Sequence, residues 1–127
     1  MPAAIRWYLP GSILLITCSG QTTADEFNAA LKIMLRDLDE ATHTVHIIAD
    51  WREAVGEPFF VDVLQMSVNV LEHKNIGTTV IIGYRAVFGY WLDILNKIVP
   101  TRIRTEPNIE AAVVFLKHLD EASSESS

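Results

Sequence analysis

Val45-His46-Ile47-Ile48-Ala49-Asp50, followed by Trp51-Arg52-Glu53-Ala54-Val55-Gly56-Glu57-Pro58, is the stretch that decides the fold. A short, nearly continuous apolar run bounded by turn residues reads as a strand buried on both faces. A strand of that kind belongs to a parallel sheet covered by helices. After Asp50 the chain turns to charge, Gly56 and Pro58, which reads as a loop leaving the carboxyl end of the strand.

Upstream, Ile5-Arg6-Trp7-Tyr8-Leu9 alternates as a strand, Pro10-Gly11-Ser12 is turn chemistry, and Ile13 to Cys18 is a second apolar strand. So short a connection predicts an antiparallel hairpin. Gly20 breaks the strand. Thr23-Ala24-Asp25-Glu26 then spells a capping box, and Phe27, Ala30, Leu31, Met34, Leu35 and Leu38 recur at helical spacing.

Downstream, a helix is predicted from about Phe59 to Lys74, with Phe60, Leu64, Val68 and Leu71 inward. Asn75-Ile76-Gly77 would end it, the glycine supplying a left-handed cap. Thr78 to Gly83 reads as a strand and Ala86 to Val99 as a helix stopped by Pro100. Thr101-Arg102-Ile103-Arg104 alternates as an edge strand. Thr105-Glu106-Pro107 opens a last helix with proline in its first turn and Ile109, Ala112, Val113, Leu116 and Leu119 inward. The predicted order is ββαβαβαβα, an α/β fold with a mostly parallel sheet, an antiparallel first strand and flanking helices. Residues 1–121 form one domain in this reading, and 122–127 a disordered tail.

The chain has 127 residues, 50% hydrophobic and 20% charged, which suffices for one core. A net charge of -6 argues against a general nucleic-acid binder. The single Cys18 precludes an internal disulfide and suits a reducing compartment. No apolar run approaches the roughly 20 residues of a membrane span, and Met1-Pro2-Ala3-Ala4 lacks a signal pattern, so a cytoplasmic location is expected.

The element order, the Gly20-to-Glu26 approach to the first helix, Val45 to Asp50, and Arg102-Ile103-Arg104-Thr105 followed by Glu110-Ala111-Ala112 resemble the STAS domain. The nearer likeness is to a bacterial group described as SpoIIAA-like or STAS/SEC14-like. The resemblance implies a small module that docks a protein or holds a small ligand at one end. Anti-sigma-antagonist STAS proteins carry an Asp-Ser pair after their third strand, and phosphorylation of that serine breaks a complex. Here Trp51 follows Asp50 and Ser67 falls inside a predicted helix, so the phosphoswitch is not carried over.

Ligands of open α/β sheets favour the crevice beyond the carboxyl ends of the strands. That end collects Ser19 to Thr23, Asp50 to Pro58, Gly83 to Val87 and Thr105 to Pro107, with Arg52 and Arg85 available for an anion. The plainer reading makes these residues caps and solvated charges. Gly83 to Gly89 spells neither a P-loop nor a dinucleotide fingerprint. His43 and His46 point to opposite faces of a strand, and His46 and Asp50 share a face about 13 Å apart, too far for a dyad. Cys18 reads as a small buried hydrophobe.

The aromatics Trp51, Phe59 and Phe60, with Phe88, Tyr90 and Trp91, either pack the core or wall a pocket or sticky patch at that end. The expectation is a non-catalytic module, without cofactor or metal, that binds a protein partner or itself as a homodimer. Its site would be Asp50, Trp51, Arg52, Glu53, Glu57, Phe59, Arg85, Tyr90 and Trp91. The alternative is a carrier or sensor of a small, apolar, lipid-like ligand held among the same aromatics.

Overall fold

The computed structural model describes residues 3–20, 23–54, 70–83, 97 and 103–126. Five strands form one sheet in the order β1-β2-β3-β4-β5: β1 (Ala3–Leu9), β2 (Ile13–Gly20), β3 (Val45–Ala54), β4 (Ile76–Ile82) and β5 (Ile103–Glu106). β1 runs antiparallel to β2, and every other neighbouring pair is parallel. The predicted hairpin and edge position of the last strand are both present. Most of the predicted helices at 59–74 and 86–99, Ser67 among them, lie outside the described residues. Of those spans Val70, Leu71 and Lys97 are described as helical.

α1 (Ala24–Glu40) begins as its sequence dictates. Thr23 Oγ1 accepts from the Glu26 N–H, and the Thr23 N–H donates to Glu26 Oε1, each at 3.1 Å. Such a cap contributes about 1 kcal/mol. Burial decides more, because each large apolar side chain removed from water is worth about 1.5–3 kcal/mol. Phe27, Ala30, Leu31, Met34 and Leu38 are buried and Leu35 packs beside them, against Leu14, Ile16, Cys18, Val45 and Ile47 of the sheet. The second helix with described bounds, α2 (Ile109–Ser126), lies on the opposite face. There Ala112, Val113 and Leu116 meet Ile13, Leu15, Ile48, Val80 and Ile82. Burial on both faces is why β2 and β3 carry apolar runs instead of alternation.

Four local expectations are corrected. β3 continues past Asp50 to Ala54, because Ser19 and Gly20 extend β2 beside Glu53 and Ala54 after a register shift. The last strand takes in Thr105 and Glu106, so Pro107 falls in the bend before α2. α2 is capped instead by Asn108, whose Oδ1 accepts the Ala111 N–H at 2.8 Å. α2 runs to Ser126, through the segment expected as a disordered tail, since extending a formed helix costs little per residue. Gly77 is no left-handed cap. It lies within β4, and the glycines with positive φ among the described residues are Gly11, Gly20 and Gly83.

The reason for glycine at 77 lies across the sheet. Between β3 and β4 the register shifts after Val45↔Ile76, resuming at Ile47↔Thr79, so His46 stands opposite Gly77 and Thr78. A Cβ on Gly77 would collide with the His46 ring and lie 2.8 Å from Thr44 Cγ2. Overpacking of this kind typically costs about 1–3 kcal/mol. Gly77→Ala is therefore expected to lower unfolding free energy by about that amount, measured by urea denaturation. An unchanged midpoint would mean that the imidazole moves aside without loss.

Candidate functional site

Side chains along β3 alternate. Ile47 and Trp51 join the core under α1, whereas Ile48 packs with α2. His46, Asp50 and Arg52 share the parity of Ile48, so the α2 side of β3 carries polar groups at both ends.

At the carboxyl end, the Asp50 carboxylate accepts three hydrogen bonds from Arg52. The backbone N–H and Nε reach Oδ1 at 3.0 and 3.1 Å, and Nη2 reaches Oδ2 at 3.0 Å. The Asp50 side chain is 10% exposed and that of Arg52 44%. Burial by itself pushes the Asp50 carboxyl upward, but the Arg52 hydrogen bonds and charge outweigh it and hold the carboxyl below its ordinary value. Asp50 in turn makes the Arg52 guanidinium harder to deprotonate, with smaller help from Glu110 and Glu53. The result is an exposed cation fixed from beneath by a buried anion.

Gly83 supports this corner at φ 83°, and a Cβ there would lie 2.7 Å from the Arg52 nitrogen. Close passage of the β4 end past the β3 backbone thus requires glycine. Beside it opens a cavity of about 360 Å³ whose described lining is Gly83, Thr105, Glu106 and Pro107. Described residues from all four strand-end segments named from sequence therefore meet: Ser19 beside Glu53, Arg52 beside Gly83, and Gly83 with Thr105 to Pro107.

Trp51 is corrected from a docking aromatic to a core residue. It is 7% exposed, with its ring centroid 5.5 Å from that of Phe27. The physical reason is parity: β3 continues through residue 51, which turns that side chain under α1. Glu53 is exposed. Glu57, Phe59, Arg85, Tyr90 and Trp91, together with Phe60 and Phe88, lie outside the described residues.

Cys18 is fully buried in the α1-side core. Burial, aided by the Asp50 charge, pushes its thiol up to about 12, so thiolate is a trace species near neutral pH. Among the described residues no cluster of His, Cys, Asp and Glu could hold a metal.

Sequence reasoning missed the partner of His46. Nδ1 accepts the Thr78 N–H at 3.0 Å, which assigns the ring proton to Nε2, and Nε2 donates to Asp120 Oδ1 at 2.8 Å. His73 repeats the pattern, with Nδ1 accepting the Asn75 N–H at 3.0 Å and Nε2 donating to Asp39 Oδ1 at 2.7 Å. With Nδ1 occupied by an amide and Nε2 by a carboxylate, neither ring offers a free lone pair as a general base. Partners 74 and 34 residues away leave no local sequence signal.

No family model matches the chain, and no curated protein matches it. Among solved structures, it is similar to an uncharacterised protein of the DUF3478 family with a SpoIIAA-like fold from Shewanella loihica PV-4. The TM-score is 0.65 and the identity 15%, over 90% of this chain and 91% of that one. At that identity the likeness shows the fold, and the fold is SpoIIAA-like. Among the described residues no helix is long and apolar enough to cross a membrane.

Two measurements follow from these environments. Cys18 is expected to ignore a thiol reagent in the native protein near neutral pH and to react fully in denaturant. Rapid native labelling would place the thiol at the surface. Because the folded Asp50 value lies below the ordinary 3.8, its contribution to stability is present above about pH 4 and is lost as pH falls through the folded value. The stability gap between wild type and Asp50→Asn, measured by denaturation across pH, is thus expected to be largest near neutrality and to shrink in acid. A gap independent of pH would show that the charge of Asp50 contributes nothing.

Proposed function

We propose that the protein is a non-catalytic binding module that docks a protein partner at the carboxyl end of its sheet, with Arg52 as the polar anchor. The observation that carries this reading is the exposed Arg52 guanidinium held by the buried Asp50 carboxylate. Arginine is enriched at the energetic centres of interfaces, and a side chain already fixed in place loses less entropy on binding. Among the described residues, two protons on Nη1 and one on Nη2 are left for a carboxylate or carbonyl of the partner. Exposed Glu53 and Glu110 flank the anchor and would set specificity at its rim.

Binding is favoured over chemistry because two candidate reactive groups at this end, Asp50 and Cys18, are already committed. Asp50 is saturated by Arg52, and Cys18 is a buried thiol.

The cavity of about 360 Å³ beside Gly83 favours a second reading, a small ligand held at the same end. Trp51 does not line it, so the aromatic wall expected from sequence would have to come from Phe59, Tyr90 or Trp91.

A photo-crosslinking residue at Glu53, used in the protein's native host, tests the first reading, with the same residue at Lys32 on α1 as control. Adducts of defined mass are expected at position 53, absent at 32 and lost in the Asp50→Asn/Arg52→Gln double variant. Equal labelling at both positions would overturn it. Extra mass seen only in the native mass spectrum of the purified protein would favour the ligand.

A further inference from the structure

We propose that the outer edge of β1 pairs with the same edge of a second copy, antiparallel and centred on Ile5, joining the two sheets into one. β1 ends the sheet, and among the described residues nothing is paired with its outer side. The other edge, β5, has four residues and is guarded. Arg104 donates to Glu106 at 2.9 Å and stands 3.9 Å from the centroid of the Phe115 ring. β1 has seven residues, no proline and one charge, Arg6. Natural edges this bare are templates for pairing.

The side chains select the partner and its register. A two-fold axis perpendicular to the sheet sets side chains of the same face opposite one another, so the centre falls on a residue. Centring on Arg6 would oppose two guanidinium groups. Centring on Trp7 would draw in Tyr8 and Leu9, where the pairing with β2 already shifts register. Centring on Ile5 uses only Ala3–Trp7, the stretch that pairs regularly with β2. Ile5 then meets its own copy, Trp7 lies across from Ala3, and Arg6 lies across from Ala4. Each large side chain away from the centre is matched by a small one, and no like charges meet. Ala4 and Arg6 are both exposed, so each Arg6 stem can lie along the neighbouring alanine.

The register supplies its own test. A charge at position 4 would face Arg6 twice in the dimer and face solvent in the monomer. The dimer dissociation constant, from concentration-dependent light scattering of the full chain, is expected to rise about tenfold in Ala4→Lys and fall by a similar factor in Ala4→Glu. Under mild oxidation Ile5→Cys is expected to give a disulfide-linked dimer, while Arg6→Cys and the wild type, with Cys18 buried, give none. A wild type that is monomeric at every concentration would overturn the proposal. So would a dimer indifferent to both charges, or cross-linking at 6 as readily as at 5. The Arg52 surface lies elsewhere on the sheet, so either proposal can fail alone.

Discussion

The imidazole of His46 is the contact on which the amino end of the sheet depends. A register shift inside a parallel pair leaves a backbone amide with no strand partner, and an unpaired buried amide costs about 1–3 kcal/mol. Here Thr78 supplies that amide and Nδ1 of His46 accepts it, which fixes the ring proton on Nε2 and directs it at Asp120. Gly77 leaves room for the ring. One side chain thereby completes the β3–β4 pairing and sets the position of α2. His73 does the same for α1 through Asp39, while the side-chain Nδ2 of Asn75 donates to the Leu38 and Ala41 carbonyls at the end of that helix.

At the other end of β3 the polar arrangement serves the outside. Asp50 is buried for the sake of Arg52, and Arg52 remains half exposed. Between these two ends, Ile48 and its neighbours pack against Ala112, Val113 and Leu116 with no polar atom among their side chains. α2 therefore lies along β3 with its amino-terminal Glu110 near Arg52 and its Asp120 on His46. The amino end thus closes on the hydrogen bonds of a buried histidine, whereas the carboxyl end leaves a charge exposed over a buried carboxylate.

The architecture was legible because burial writes a periodic signal. The stripes of α1 and α2 and the two-sided apolar runs of β2 and β3 locate the elements and assign both faces of the sheet. The SpoIIAA-like likeness rests on that order. Boundaries were less legible where strands lengthen through pairing, as β3 does once Ser19 and Gly20 lie beside Glu53 and Ala54. That extension also turned Trp51 inward, which no count of aromatics reveals. Asp50 and Arg52 were picked out by position, but their mutual bonding is a matter of side-chain conformation. Gly77 was misread because a glycine after a predicted helix suggests a cap, whereas the histidine that needs the space is 31 positions earlier.

The link between His46 and Asp120 also bears on how the chain folds as it is made. β1, β2 and α1 are joined by neighbouring segments and can consolidate while the remainder is still being synthesised. β3 cannot finish in the same way. Its histidine proton must wait for an acceptor 74 residues further on. Until α2 emerges and docks, the middle strand carries an unanswered polar group and a bare apolar face. A helix made well after β3 is thus the piece that seals the strand at the centre of the sheet.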